Sequence, residues 1–432
     1  KGIQVLVTDH HLPGSELPKA VAIVNPNQHG DVFPSKNLAG VGVIFYVMLA
    51  LRAELKKINW FETKEIAEPN MAQFLDLVAL GTVADVVPLD KNNRILVHQG
   101  LKRIRAGQCR PGILALLEVA KRDRLQLSAS DLGFSVAPRL NAAGRLDDMS
   151  LGINCLLCTD QNNAKAMAQS LDDLNRERRS IEKTMKEQAI AALEHLNLKG
   201  KNLPMGLCLF DESWHQGVIG ILAGRIKDEY YRPVIVFALA NEHELKGSAR
   251  SIPGLHIRDL LDEIATKHPE LMTKFGGHAM AAGLTLNKNK LSEFAKIFDA
   301  TVKQHISEEN LMGEVLSDGE LTSDDLSLEL AEHLRIGGPW GQHFPEPLFD
   351  GKFKVVQQRL LGGAHLKMTL SLPEQPYQWL DAIAFNVDDA AWPNPQCQFI
   401  HATYRLDINE YQDTRKLQLI VEHFEPYHSE VL

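Results

Sequence analysis

The chain has 432 residues, 44% of them hydrophobic and 23% charged, with a formal net charge of −9 and five cysteines. That length gives room for two to four domains with more than one core, and the acidic balance carries no global sign of nucleic acid, which leaves local basic stretches to decide. An odd cysteine count argues against a secreted disulfide framework, no signal or transit peptide is visible, and the longest apolar run, Leu38 to Leu51, is too short to span a bilayer, so a reducing cytoplasm is the expected compartment.

Residues 1–160 read as α/β. The apolar run from Ile3 to Thr8 predicts a strand, and Asp9-His10-His11 stands at its carboxyl end. Open α/β sheets place reactive groups there. Imidazole nitrogen with carboxylate oxygen suits Mn²⁺, Fe²⁺ or Zn²⁺, and carboxylate alone suits Mg²⁺. Neighbouring histidines on a strand point to opposite faces, so one of the two would ligate a given ion. Taken alone, the tripeptide could equally be a polar strand end. A Pro13-Gly14 turn follows, then a short strand at Ala22–Val24 stopped by Asn25-Pro26-Asn27. Gly40 and Gly42 open a helix running to about Leu55.

The apolar segment Phe74 to Leu80 reads as a further strand leading into Gly81-Thr82-Val83-Ala84-Asp85. That would bring Asp85 to the sheet edge of His10; an N-cap or turn aspartate is the alternative. Helices are predicted near Asn93–Ala106 and Ile113–Ala120. Cys155 and Cys158 form one C-x-x-C inside an apolar run with no second pair, so core packing is expected rather than zinc. The first strand begins only two residues into a chain without an initial Met, so a truncated piece lacking upstream sheet partners is expected.

Residues 161–200 carry apolar positions at three- and four-residue steps (Met167, Leu171, Leu174, Ile181, Met185, Ala192, Leu196), with Gly200 as a stop. A helix of that extent is about 50 Å long and suits a connection between domains. Residues 201–308 read as a smaller α/β domain. Its strands are expected at Gly206–Phe210, Val234–Leu239, Leu245–Ser251 and Gly283–Leu286. Its helices are expected at Gly217–Glu229, His256–Thr266 and Lys290–Gln304. Residues 309–432 carry five short alternating segments, Phe353–Arg359, His365–Leu372, Leu380–Phe385, Phe399–Leu406 and Lys416–His423, which fit a small OB-type β-barrel.

Several segments resemble one family in the right order. They are Asp9-His10-His11 after a strand, Gly81 to Asp85, the run Pro138-Arg139-Leu140-Asn141-Ala142-Ala143-Gly144-Arg145, Trp214 to Gly220, Lys246 to Ser251, and Gly276-Gly277-His278 followed by Ala279 to Gly283. Together with the barrel, they resemble the DHH phosphoesterase family over essentially the whole chain. The fold class implied is α/β: a partial DHH-type parallel-sheet domain, a long connecting helix, a smaller α/β DHH-associated domain and the C-terminal barrel.

The resemblance implies an exonuclease that degrades single-stranded DNA 5′→3′ to mononucleotides in DNA repair and recombination, using two divalent cations, Mn²⁺ or Mg²⁺. It implies metal ligation by His10 and Asp85, support of His10 or of the site by Asp9, and contact of His11 with the reacting phosphate. It also implies contact of Arg145, and of Arg139, with phosphate, where guanidinium binds oxygens in pairs. The alternative for Arg145 is a salt bridge to Asp147 or Asp148. Ser248 and Arg250 alternate on a predicted strand and face one way; the resemblance assigns them the 5′-terminal phosphate. Gly276, Gly277 and His278 are expected as a loop at a helix N-terminus that lines an anion site. His215 has the same logic, with a structural histidine as alternative.

The family's upstream carboxylate motifs do not precede Lys1, so the piece alone is expected to bind metal poorly and to be nearly inactive. Other members of the superfamily are nanoRNases or cyclic-dinucleotide phosphodiesterases. A non-catalytic replication scaffold is a reading from a different class. Expected partners are single-stranded DNA, a single-strand-binding protein and a RecQ-type helicase, with no membrane and a monomer sufficing. From Arg94 to Arg145 ten Lys or Arg stand against three Asp or Glu, a bias that can track a phosphate backbone. Of the barrel aromatics Trp340, Phe344, Phe349, Phe353, Trp379 and Tyr404, most are expected in the core and some to stack bases.

Overall fold

The structure, a computed structural model, describes residues 2–14, 16–195, 203–311, 313–388, 391–411 and 414–427. It separates into two compact units, one formed by Lys1–Ala137 with Val315–Leu432, the other by Pro138–Glu314.

The first unit opens with strands β1 (Leu6–Thr8) and β2 (Ala22–Val24), paired in parallel from Leu6 opposite Ala22 to Thr8 opposite Val24. Helix α1 (Gly40–Lys57) follows, ending on Lys56 and Lys57, whose charge suits the negative end of the helix dipole. A single turn, α2 (Trp60–Thr63), leads to α3 (Leu75–Ala84).

Here the structure corrects the sequence reading: the apolar run before Asp85 is a helix, not a strand. Asp76, Val78, Ala79, Leu80 and Thr82 are all buried, so the run has no polar face to give it a period. Apolar runs without a period fit a buried strand or a buried helix equally well. Helix α4 (Lys91–Arg105) packs closely on α3 because Gly100 has no side chain; a Cβ there would approach Leu75 O to 2.2 Å. The Asp90 carboxylate caps α4 by accepting from Asn93 N at 2.9 Å. Helix α5 (Pro111–Val119) starts on a proline at its first position, where no N–H is needed, and the turn α6 (Ala129–Asp131) is closed by a Ser128–Asp131 capping box.

In the second unit, α7 (Ala137–Leu146) and α8 (Ser150–Leu157) precede the 35-residue α9 (Gln161–His195). The predicted positions Leu196 and Gly200 lie outside the described residues. Cys155 is buried, its thiol pushed up to about 11 chiefly by burial, as suits a core residue.

The remaining elements are β3 (Leu207–Phe210), α10 (Ile219–Tyr230), β4 (Val234–Leu239), β5 (Glu244–Arg250), α11 (Ile257–Lys267), β6 (Met272–Gly277), β7 (Ala281–Asn287) and α12 (Leu291–His305). The sheet order is β3-β4-β5-β7-β6, parallel between β3 and β4 and antiparallel elsewhere. Phe237, Phe294 and Phe298 are fully buried on one side of it, and Trp214, Leu222 and Ile226 pack with Met185 and Ala189 of α9 in a second cluster. Strand β6 was not foreseen. Its Lys274, Gly276 and exposed alternate positions hide a strand signature, and its two glycines read as a loop.

The chain then returns to the first unit with α13 (Leu328–Gly337) and strands β8 (Phe349–Leu361), β9 (His365–Leu372), β10 (Gln375–Phe385), β11 (Phe399–Tyr411) and β12 (Thr414–Pro426). These close into a barrel, β10-β12-β11-β8-β9, in which only β10 and β12 run parallel. That is the five-stranded OB pattern. Phe353, Leu366, Leu370 and Leu419 fill its interior at 0% exposure. Among the described residues no helix is long and apolar enough to cross a membrane.

Candidate active site

The Asp9-His10-His11 segment leaves β1 by one more ladder bond, Asp9 N donating to Val24 O at 3.0 Å. Its carbonyls are then caught from the end of β2. Asn27 Nδ2 donates to His10 O at 2.6 Å, and Asn25 Nδ2 donates to His11 O at 2.8 Å. Asn25 is buried and its Oδ1 accepts from Asn27 N, so both amides are themselves fixed. Sequence reasoning took Asn25-Pro26-Asn27 only as a strand stop. The available signal was two amide side chains at the end of the strand that must pair with the one carrying the histidines.

Asp85 caps the C-terminus of α3, and its Oδ2 lies 3.3 Å from His10 Nε2. The pairing expected from sequence is thus present, delivered by a helix end instead of a sheet edge. The His10 side chain is 19% exposed and that of Asp85 42%, so the pair is open to solvent on the carboxylate side. Two donors bound side by side on one octahedral ion at about 2.1 Å lie about 3 Å apart. An imidazole and a carboxylate at this separation therefore fit neighbouring positions on a divalent ion of the Mn²⁺ type. Among the described residues no group of three or more His, Cys, Asp or Glu is placed to hold a metal ion, so this pair could supply two ligands at most.

Asp9 pairs with the ring of His11 and meets His10 only at its backbone N–H. Its Oδ1 lies 2.7 Å from His11 Nδ1 and also accepts from the backbone N–H groups of His10 and His11. Burial alone would raise its pKa, but these bonds from His11 and the backbone win and hold the carboxyl below the ordinary carboxylate value. The carboxylate orients the His11 ring, which is 65% exposed.

The other predicted phosphate ligands lie in the second unit. Ser248 and Arg250 share a face of β5, and Arg250 Nη1 donates to Ser248 Oγ at 3.2 Å. The start of α10 comes up against them: a Cβ on Gly220 would lie 3.0 Å from both Arg250 Nη2 and Ser248 Oγ. Gly220 is thus a residue whose absence of side chain lets the start of α10 approach a guanidinium and a hydroxyl, an arrangement suited to an anion. The Arg250 pKa is depressed first by burial and then by the charge of Arg145. Like charges kept this close favour an anion as their common partner.

Arg145 Nη1 donates to Gly217 O at 3.0 Å; the salt bridge to Asp147 or Asp148 foreseen as its alternative is not what holds it. Gly217 in turn cannot carry a side chain, since a Cβ would come within 2.5 Å of Arg145 O. His215 Nδ1 accepts from Gly217 N at 3.1 Å and so shapes this turn.

Two expectations change. Arg139 meets Asp172 on α9 through Nε and Nη2, both at 2.8 Å, in a pair whose side chains are 11% and 3% exposed. Its guanidinium is spent on joining α7 to α9. Gly276 and Gly277 do not form a loop before a helix. They end β6 and turn directly into β7, with His278 N donating to Ala281 O at 2.8 Å. Gly277 has φ +151°, and a Cβ there would lie 2.4 Å from Ala281 O, so the glycine serves the tight hairpin.

Much of the basic stretch is also used internally. Arg105 donates to Leu127 O, Arg110 meets the buried Asp76, Arg122 meets Ser135 and Asp131, and Arg124 donates to Arg105 O. Of the barrel aromatics, Phe349, Phe353 and Tyr404 are buried, and Trp340 and Phe344 stack on each other at 5.0 Å. Trp379 is 68% exposed and has a neighbour that composition did not single out, Tyr377, at 95%. Trp379 lies opposite Ser371 of β9, which pairs with Lys354 of β8. An exposed indole is a platform on which a nucleobase can stack.

Comparison with known proteins identifies the domains. Residues 1–82 match the DHH family N-terminal domain, residues 203–304 the DHHA1 domain and residues 317–423 the RecJ OB domain. The chain is 56% identical to the single-stranded-DNA-specific exonuclease RecJ of Dickeya dadantii, with 99% of this chain and 74% of that protein covered. Among solved structures, RecJ of Thermus thermophilus in complex with Mn²⁺ superposes with a TM-score of 0.79 at 27% identity; 99% of this chain is covered, and the chain spans 59% of that protein. The same protein in complex with Mg²⁺ gives 0.76 at 27% identity, over 99% of this chain and 61% of that protein.

Proposed function

The chain belongs to the RecJ family of single-stranded-DNA-specific exonucleases, and from that premise we propose how its residues act. His10 and Asp85 hold a divalent ion, Mn²⁺ or Mg²⁺. Bound there, such an ion offsets the charge that builds on phosphate oxygens during phosphodiester hydrolysis and lowers the pKa of water. His11, aligned by Asp9, donates a hydrogen bond to a non-bridging oxygen of the scissile phosphate and stabilises it as its charge grows. Asn25 and Asn27 keep the two histidine carbonyls in register, so the rings cannot drift independently.

In the second unit, Ser248, Arg250 and the first N–H groups of α10 receive the terminal 5′ phosphate, and Arg145 adds the second cation. A pocket that accepts a phosphate monoester with no nucleotide beyond it reads a strand end, and that gives 5′→3′ polarity and mononucleotide products. His215, Gly276, Gly277 and His278 shape turns near this face; they are positioning residues in this reading. The barrel binds the strand by stacking and by counter-charge. Partners that deliver such a strand, a single-strand-binding protein and a RecQ-type helicase in the cytoplasm, belong to the same reading.

One observation carries it: His10 Nε2 and Asp85 Oδ2 stand 3.3 Å apart beside the Asp9–His11 pair. The test is digestion of 5′-labelled and 3′-labelled single-stranded DNA by the full-length enzyme with Mn²⁺. Immediate release of the 5′ label as mononucleotide, abolished in His11→Ala and Asp85→Asn, is the expected result. Prompt release of the 3′ label would reverse the polarity, and cleavage confined to dinucleotides would make the enzyme a nanoRNase.

A further inference from the structure

We propose that the loop Gly338 to Phe344 of the barrel region positions the metal carboxylate Asp85, so the barrel sets metal affinity as well as gripping DNA. The proposal rests on the reading of Asp85 as a ligand.

The residue after Asp85 is Val86, in the left-handed region at φ +58° and 65% exposed. A β-branched side chain is rarely found there, and such outliers persist only where the surroundings over-determine them. Val86 N donates to Val83 O, which closes the end of α3. Two residues later Pro88 stiffens the chain, and its carbonyl accepts from Asn93 Nδ2 at 2.9 Å. Leu89 then meets the barrel region. Its N–H donates to Gln342 O at 2.7 Å, and its buried side chain fills the space left by Gly341, where a Cβ would lie 2.7 Å from Leu89 Cδ1.

A second contact runs alongside. The Arg94 guanidinium lies 4.0 Å from the centre of the Phe344 ring, and its Nε is buried without a hydrogen-bond partner among the described residues. Phe344 stacks on Trp340, whose Nε1 donates to Leu334 O of α13. The segment from Asp85 to Asp90 is therefore fixed at one end by α3 and at the other by the Asp90 cap of α4 together with Gln342 and Gly341. Released at the second end, Val86 can leave its left-handed conformation, and the turn that aims Asp85 at His10 goes with it.

The test uses the full-length enzyme and Mn²⁺ alone. Gly341→Val and Phe344→Ala are compared with Asp85→Asn, with Phe344→Leu as a milder variant and Phe344→Tyr as the conservative one. Binding of Mn²⁺ is followed by electron paramagnetic resonance, exchange of the Leu89 amide by mass spectrometry, folding by the melting temperature and DNA affinity without metal by anisotropy. The expected result is faster exchange at Leu89 and Mn²⁺ affinity about tenfold weaker, in the range known for groups that orient a ligand, with DNA affinity kept and Phe344→Tyr near the parent. Faster exchange with unchanged Mn²⁺ affinity in Gly341→Val or Phe344→Leu overturns the proposal. If Asp85→Asn itself leaves Mn²⁺ affinity unchanged, the ligand reading fails first and the proposal falls with it.

Discussion

Asp9 Oδ1 and His11 Nδ1 are 2.7 Å apart, so the carboxylate of the tripeptide serves the second histidine while the first turns to Asp85. The two imidazoles thus have separate tasks although they are adjacent in sequence. Asp9→Asn keeps the shape but weakens the hold on the His11 ring. Turnover should fall about 10- to 100-fold, and Asp9→Asn with His11→Ala should be little worse than His11→Ala alone. Steady-state release of a 5′-labelled nucleotide from each variant measures this; additive losses would separate the two residues.

Arg139 and Arg145 sit in one sequence motif and should behave differently. Arg139→Ala leaves the nearly buried Asp172 with Arg176 alone, which should cost about 3 kcal/mol. Arg145→Ala removes an exposed guanidinium bonded to Gly217 O and should hardly change stability while raising KM for DNA. Urea titration beside cleavage kinetics distinguishes them. A stability loss at Arg145 with none at Arg139 would reverse the assignment.

The left-handed Val86 gives a third test. Leaving that region for an L-residue is worth about 1–2 kcal/mol, against about 0.5–1 kcal/mol for the extra freedom of glycine. Val86→Gly should therefore be neutral or slightly stabilising, whereas Val83→Gly inside α3 should destabilise. Melting temperatures of the two variants decide it.

Trp379 and Phe353 contrast within one barrel. Phe353 is fully buried, and Phe353→Ala should cost about 3–5 kcal/mol. Trp379→Ala removes an exposed ring, so the fold should be indifferent, while affinity for an oligonucleotide should fall by about 1–3 kcal/mol if a base stacks there. Anisotropy in Ca²⁺ with a fluorescent oligonucleotide reads the second effect, and unchanged affinity would remove Trp379 from the binding surface.

Acid should loosen the segment around Gly319. Asp350 accepts from Ser317 Oγ and pairs with His401 Nε2 at 3.0 Å, and these bonds hold its carboxyl below the ordinary 3.8. A depressed carboxyl contributes stability above its unfolded value and loses it as pH falls through the folded one. The contribution should be full at neutral pH and fade below 3.8. Asp350→Asn should flatten that acid limb, followed by amide exchange at Asp318 and Asp350.

Much of this architecture could be read from sequence, and the failures have physical causes. The barrel strands show because one face of each is wet, so polarity alternates along them. Helix α9 shows because its stripe repeats over many turns. Helix α3 did not, because a segment buried all round has no period, and its ten residues lie near the length at which strand and helix overlap. The placement of Asp85 beside His10 survived that error, since Asp85 ends the element either way. Gly276 and Gly277 misled because glycine permits both loops and the tight edge of a hairpin, and only the partner strand β7 decides. The partners of Asp9 and Arg139 are matters of side-chain direction, about which residue identity is silent.

The clasp between Leu89 and Gln342 also bears on the order of events during synthesis. Leu89 leaves the ribosome long before its partner; at about 5–20 residues per second the wait is on the order of ten seconds to a minute. During that time the first unit is incomplete, with Leu89 still without its contacts to Gly341 and Gln342. The second unit, drawn from the single continuous stretch Pro138–Glu314, emerges whole in the interval and can fold without waiting. A nascent chain arrested before Gln342 should thus carry a finished second unit beside a first unit that still lacks its barrel and the clasp on Leu89.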